Sequence, residues 1–176
     1  MNYEIFDNFL PEHEFKQIQY LMTSHLFPWY PFDFIVSDKD AVFEDGSDAS
    51  IYDSQMVHIF YANHTPQSNY YNDLVPLISK INPSSLVRIK ANLGFATPER
   101  VKSGFHIDFD ETPENFKTAV YYLNTNNGST LFEDGTEIES VENRLVVFDT
   151  NLQHTGVSST DSKFRYLINL NYYSHI

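Results

Sequence analysis

The sequence predicts a mainly β chain with flanking helices, of the α+β class. Its core would be a double-stranded β-helix (jelly roll) of eight strands, with N-terminal helices packed on one sheet. Three observations predict this. From Leu86 onward, short apolar runs alternate with turn residues. The 15 Phe and 12 Tyr residues suit strand-rich packing. Helical periodicity is confined to two stretches ahead of that region.

Taken in order, Tyr3 to Phe6 reads as a short strand. Pro11 to Ser24 reads as a helix. Pro11 suits its first turn, Glu12 and Glu14 suit the positive end of its dipole, and Phe15, Ile18, Leu21 and Met22 share a face. Pro28 to Val36 is aromatic and proline-broken, with no clear period. Ser37 to Asp53 is acidic and reads as a long loop, of the kind that serves as a lid or binding element. Gln55 to Tyr61 is a strand. Tyr70 to Ile81 is a second helix, with Leu74, Leu77, Ile78 and Ile81 on one face. The eight core strands follow: Leu86 to Phe95, Ser103 to Phe109, Thr118 to Asn124, Thr130 to Glu133, Thr136 to Val141, Arg144 to Asp149, Thr155 to Ser158 and Phe164 to Tyr173. Asn126-Asn127-Gly128, Asp134-Gly135 and Glu142-Asn143 supply turns.

No linker separates the halves, so residues 1–176 read as one domain, with helical support over 1–84 and the β core over 85–173. There is no cysteine, which excludes a disulfide framework and a thiolate metal site. The net charge of −13, with scattered Lys and Arg, argues against nucleic acid or an anionic membrane as partner. No apolar run reaches a membrane span, and the start lacks a basic, apolar leader, so a cytoplasmic location is expected. Oligomeric state is not legible.

Two segments carry chemistry. Phe105-His106-Ile107-Asp108-Phe109 places a His-x-Asp pair in an expected strand, where side chains two apart share a face. Gln153-His154-Thr155-Gly156 brings a second imidazole from a distant strand. Two histidines and one carboxylate form the facial triad that holds non-heme Fe(II) with positions left open for reactants. A lone His-x-Asp arises by chance in many proteins; order and strand placement strengthen this one. Mn, Co, Ni or Zn would fit the same ligands. Arg165 opens the apolar run Tyr166 to Tyr173, where an unpaired charge is costly to bury. A planar guanidinium there calls for a bound carboxylate or an internal acidic partner.

From about Leu86 to Tyr173 the chain resembles the Fe(II)/2-oxoglutarate-dependent dioxygenases, in particular their prolyl 4-hydroxylase-like branch. The resemblance rests on the order His106-x-Asp108, His154, Arg165. Phe6-Asp7-Asn8-Phe9-Leu10-Pro11 is similar to the family's entry segment, and Thr118 to Asn124 to its third core strand. The resemblance implies that His106, Asp108 and His154 bind iron and carry catalysis, and that Arg165 binds the distal carboxylate of 2-oxoglutarate. It puts the Tyr122 hydroxyl on that carboxylate, although a buried Tyr122 is equally suited to core packing. It puts Asn92 near the chelating end of the co-substrate. Gly128-Ser129-Thr130-Leu131 resembles the small-residue turn before the fourth strand, with Thr130 at the pocket. Related halogenases carry a small residue in place of the carboxylate, so Asp108 points to hydroxylation.

The implied cofactors are Fe(II), 2-oxoglutarate and O2, with ascorbate as an optional addition. The implied reaction hydroxylates a prolyl or other amino-acid side chain in a peptide or protein, coupled to oxidative decarboxylation of 2-oxoglutarate to succinate and CO2. A small-molecule substrate stays open, and the segment from Trp29 to Tyr52 would close over it. Two rivals stay open as well: a non-catalytic cupin-like module holding a metal or small molecule, and a cupin-type metalloenzyme without 2-oxoglutarate. Arg88, Lys90 and Asn92 alternate on one strand face, placed either to contact anions or to pair with acidic surface. Asp110 and Glu111 read as a solvated turn rather than as partners of the site. His13, His25, His58, His64 and His175 read as exposed or hydrogen-bonded histidines.

Overall fold

The computed structural model describes residues 3–33, 35, 41–109 and 113–175. Among these described residues, thirteen strands and two α-helices follow in the order β1 (Tyr3–Phe6), α1 (Glu12–Thr23), β2 (Tyr30–Phe32), β3 (Val42–Phe43), β4 (Gln55–Ala62), β5 (Thr65–Pro66), α2 (Val75–Ile81), β6 (Ser85–Phe95), β7 (Val101–Lys102), β8 (Phe116–Tyr122), β9 (Asn126–Phe132), β10 (Glu137–Ser140), β11 (Arg144–Asp149), β12 (His154–Val157) and β13 (Phe164–Tyr173). The major sheet runs β1-β11-β8-β13-β6-β4-β2, with β5 on β4; the minor sheet runs β10-β9-β12-β7-β3. Every described pairing is antiparallel. The molecule is therefore mainly antiparallel β with two short helices, in a jelly-roll arrangement. No helix among the described residues is long and apolar enough to cross a membrane.

Alternation along the strands gives the major sheet two different faces. Tyr121, Leu123, Leu145, Ile168, Leu170, Ile89 and Phe60 cluster with Phe15, Ile18 and Met22 of α1 and with Leu74 and Leu77, so that face packs on the helices. The opposite face carries Val120, Tyr122, Val146, Phe148 and Leu167, which pack with Phe132 and Ile138 of the minor sheet. The polar residues Arg88, Lys90, Asn92, Thr118, Arg165, Asn169 and Asn171 alternate with the helix-facing set on the same strands, which places these polar side chains on the face toward the minor sheet.

α1 begins after Pro11, whose carbonyl accepts the amides of Glu14 and Phe15 at 3.0 Å each. The expected second helix is broken. Tyr71–Leu74 is a 3-10 turn, and α2 starts only at Val75. Pro76 explains the break, because it has no N–H to give an earlier carbonyl but fits a first turn. Asn82 ends α2 in the left-handed region at φ 52°.

Two expectations are corrected. The strand over Ser103 to Phe109 does not form: β7 covers only Val101 and Lys102, and His106 is held by an isolated bridge to His154. The turn at Asn126-Asn127-Gly128, and the likeness of Gly128 to Leu131 to a small-residue turn, also fail, since these residues lie in β9. A Cβ on Gly128 would lie 2.7 Å from Arg165 Cδ and 2.9 Å from the Val157 carbonyl oxygen. Glycine is there for close approach, not for turning.

The proline-broken segment supplies β2 to the edge of β4, and β3 pairs with β7. Within the described part of the expected loop over Ser37 to Asp53, Val42 and Phe43 form β3, Asp48 makes an isolated bridge to Val42, and Ser50–Tyr52 is a 3-10 turn. Asp53 is buried and accepts the Ser103 hydroxyl at 3.2 Å. Asp110 and Glu111 lie outside the described residues.

Candidate metal centre

His106 and His154 meet through a two-way backbone bridge. Each amide donates to the other residue's carbonyl at 3.0 Å. Their rings stand 4.6 Å apart between centroids. Ligand atoms of His106, Asp108 and His154 all lie within 4.8 Å of one another. The bridge thus does the work expected of a full strand: it fixes one imidazole against the other while the chain from His106 to Asp108 stays irregular.

His154 Nδ1 lies 2.9 Å from the Leu152 carbonyl oxygen, and His106 Nδ1 3.4 Å from that of Gly104. A carbonyl only accepts, so both Nδ1 atoms carry a proton, and in a neutral ring of this tautomer Nε2 is the nitrogen left to bind metal. Burial, then the neighbouring His154, hold His106 below the ordinary histidine range, while Asp108 pulls the other way. A neutral imidazole is the form that ligates metal.

Asp108 is largely buried and takes four donors. Arg88 Nη2 donates to Oδ1 at 2.8 Å. Thr118 Oγ1, Asn169 Nδ2 and Asn171 Nδ2 donate to Oδ2 at 3.1, 3.2 and 2.9 Å. Burial alone would push the carboxyl up. Arg88, His154 and the two amides outweigh it and hold Asp108 well below the usual carboxylate range. Three donors on Oδ2 and the Arg88 guanidinium on Oδ1 fix the carboxylate's rotation. Two imidazole nitrogens and one carboxylate oxygen at this spacing fit a divalent transition metal with open positions.

Arg165 is 9% exposed. Its Nε donates to Ser140 Oγ at 2.8 Å and its Nη2 to the Ser129 carbonyl at 2.9 Å. Burial lowers its basicity, and no acidic side chain among the described residues offsets this. Of the two partners open to Arg165, the internal carboxylate is thus absent among the described residues. The Tyr122 ring lies under the guanidinium, 5.5 Å from centroid to Cζ. The Tyr122 hydroxyl donates to Thr130 Oγ1 at 2.7 Å.

One cavity joins these groups: His106, Asp108, His154, Lys90, Asn92 and Arg165 all line it. Thr130 lines it too, whereas fully buried Tyr122 does not and touches the lining residues Thr130 and Arg165 from behind. Asn92 donates to Gln55 Oε1. Arg88 turns out to pair with Asp108 rather than with acidic surface. The partners of Asp108 on β8 and β13, Thr118, Asn169 and Asn171, were not anticipated. Their signal lay in the alternation Arg165, Leu167, Asn169, Asn171 within an otherwise apolar strand. His58 is buried and bonded to the Pro28 carbonyl and the Ser68 hydroxyl, away from the cavity.

No family model matches this sequence. A search of curated proteins found no match either. Solved structures do match. A Trichoplax adhaerens prolyl hydroxylase in complex with a hypoxia inducible factor oxygen degradation domain peptide fragment is 16% identical, with a TM-score of 0.61 over 98% of this chain and 83% of that one. A Pseudomonas putida prolyl-4-hydroxylase is 12% identical, with a TM-score of 0.54 over 99% and 93%. The non-heme alpha ketoglutarate dependent carbocyclase SnoK from nogalamycin biosynthesis is 12% identical, with a TM-score of 0.63 over 98% and 79%. At such identities the likeness establishes the fold.

Proposed function

We propose that this chain is an Fe(II)- and 2-oxoglutarate-dependent dioxygenase that hydroxylates a prolyl or other amino-acid side chain in a peptide or protein. One observation carries the reading. The His-Asp-His cluster shares a cavity with a buried guanidinium that has no acidic partner among the described residues. A dicarboxylate that chelates a metal at one end and pairs with Arg165 at the other answers both ends of that cavity. The fold neighbours support it: two are prolyl hydroxylases, one of them in complex with a peptide. In this reading the cofactors are Fe(II), 2-oxoglutarate and O2.

When bound, the metal supplies O2 activation coupled to decarboxylation of 2-oxoglutarate to succinate and CO2, with hydroxylation of a C–H bond. The chain's residues orient and exclude. The carbonyls of Gly104 and Leu152 hold the two imidazole rings by their Nδ1 atoms. Thr118, Asn169 and Asn171 hold the carboxylate. Ser129 and Ser140 fix the Arg165 fork, Tyr122 and Thr130 back it, and Asn92 faces the chelating end. Val120, Val157 and Leu167 form an apolar wall that keeps water from the reacting centre.

The test is turnover. Purified protein with Fe(II) and 2-oxoglutarate should release succinate, slowly without prime substrate and faster with a matching proline-containing peptide. His106→Ala or Asp108→Ala should abolish release. Arg165→Ala should weaken 2-oxoglutarate binding about tenfold or more, the loss of a charge-assisted bond. A protein that binds neither metal nor 2-oxoglutarate sinks the reading. Metal binding with no effect of Arg165→Ala would favour a cupin-type site without 2-oxoglutarate.

A further inference from the structure

The cavity carries a second cation that the reading above leaves unused. On β6 the inward positions are Arg88, Lys90, Asn92 and Gly94. Arg88 is spent on Asp108. Lys90 is partly buried, lines the cavity, and makes no hydrogen bond or ion pair among the described residues. Register separates it from Arg165: Gly94 is the partner of Arg165, and Lys90 that of Asn169. Four residues of strand are about 13 Å of backbone. Asn169 donates to Asp108, so Lys90 stands at the level of the metal centre. Its charged neighbours are Arg88 and Asp108, and its field reaches His106, whereas Arg165 feels only Tyr122. Burial, then the Arg88 charge, lower the Lys90 ammonium to about 8, with Asp108 pulling the other way. An ammonium left without an anion in this place is costly, and a bound carboxylate removes that cost.

We infer that Lys90 is a second carboxylate-binding group, placed beside the metal centre and separate from the Arg165 end of the cavity. The inference rests on the iron and 2-oxoglutarate reading. The carboxylate has two possible sources: the keto-acid end of 2-oxoglutarate, or an acid group on the prime substrate. Lys90 is then a specificity residue. A chain without its charge keeps the metal and loses the anion.

Isothermal titration with Mn(II) in place of iron separates these sources without turnover. Wild type, Lys90→Met and Lys90→Arg are titrated first with Mn(II), then with 2-oxoglutarate. Lys90→Gln replaces Lys90→Met if the latter melts early. An unchanged Mn(II) affinity, a 2-oxoglutarate affinity about tenfold weaker in Lys90→Met, and recovery to within about twofold in Lys90→Arg assign the carboxylate to 2-oxoglutarate. If 2-oxoglutarate binding is unchanged, the protein saturated with Mn(II) and 2-oxoglutarate is titrated with N-acetylglycine and with N-acetylglycinamide. Binding of the acid but not the amide, lost in Lys90→Met, assigns it to the prime substrate. If wild type binds 2-oxoglutarate and neither titration responds to Lys90→Met, this inference is overturned and the dioxygenase reading stands. A wild type that binds neither metal nor any of these carboxylates overturns both.

Discussion

Single residues set the protonation states this molecule works with. His58 shows how. It is buried against Phe27 and Phe60, with Nδ1 2.8 Å from the Pro28 carbonyl and Nε2 2.7 Å from the Ser68 hydroxyl. Burial lowers its pKa below the ordinary value, only partly opposed by the Pro28 bond. The unfolded chain therefore takes up the proton first as pH falls. Stability from His58 is complete above about 6.5 and declines below it, by at most about 1.4 kcal/mol per pH unit. Urea unfolding at pH 7.5 and 5.5 should show this acid loss, and His58→Phe should reduce it. His106, also lowered, leaves a residual slope. An identical slope in wild type and variant would remove His58 from the account.

At the scale of the element, close approach between strands decides what the residues can do. β9 carries Gly128 against the aliphatic part of Arg165, and β10 carries Ser140, which accepts from its Nε. Gly128→Ala should force Arg165 and the Val157 backbone to shift, because the new Cβ would meet them at 2.7 and 2.9 Å. Overpacking of this kind costs about 1–3 kcal/mol. Thermal unfolding should show that loss, and 2-oxoglutarate titration should show about tenfold weaker binding, since the guanidinium is displaced. Wild-type values in both assays would mean that the backbone yields freely there. Another element-scale device is Asn143, in the left-handed region at φ 59°. Its side chain accepts the Leu10 amide and the Tyr121 hydroxyl and donates to the Leu10 carbonyl, which fastens the N-terminal segment to the major sheet.

Over the whole molecule, the two sheets bring the His106, Asp108 and His154 cluster and the buried Arg165 guanidinium into one cavity, and under the proposed function these two ends should couple. Metal should raise 2-oxoglutarate affinity and 2-oxoglutarate should raise metal affinity by the same factor. Thermal shift with Mn(II) alone, 2-oxoglutarate alone, and both should give a combined shift larger than the sum. Saturation at a hundredfold over Kd stabilises by about 2.7 kcal/mol. Strictly additive shifts would place the two ligands in independent sites. The helices take no part in this chemistry; they cover the apolar face of the major sheet so that its other face can be polar.

The sequence by itself determined the mainly β class, the position of α1 and most strands after Ser85, and it singled out His106, Asp108, His154 and Arg165, which the structure gathers around one cavity. These are local signals: periodicity of side chains, turn chemistry, and residue types rarely placed together without a reason. It misjudged the elements where tertiary context overrides local preference. The expected strand through His106 reduces to one bridge, because His106 and His154 exchange a single pair of backbone bonds before the chain turns away. The expected turn at Gly128 is a strand, because the glycine is required by Arg165 rather than by φ. Only the tertiary structure decided the partners. Arg88 belongs to Asp108, Tyr122 to Thr130, and Lys90 to the part of the cavity beside Asp108. The reason is distance: pairing across β6, β8 and β13 joins residues tens of positions apart, and strand register, invisible in a single chain, sets which side chains meet.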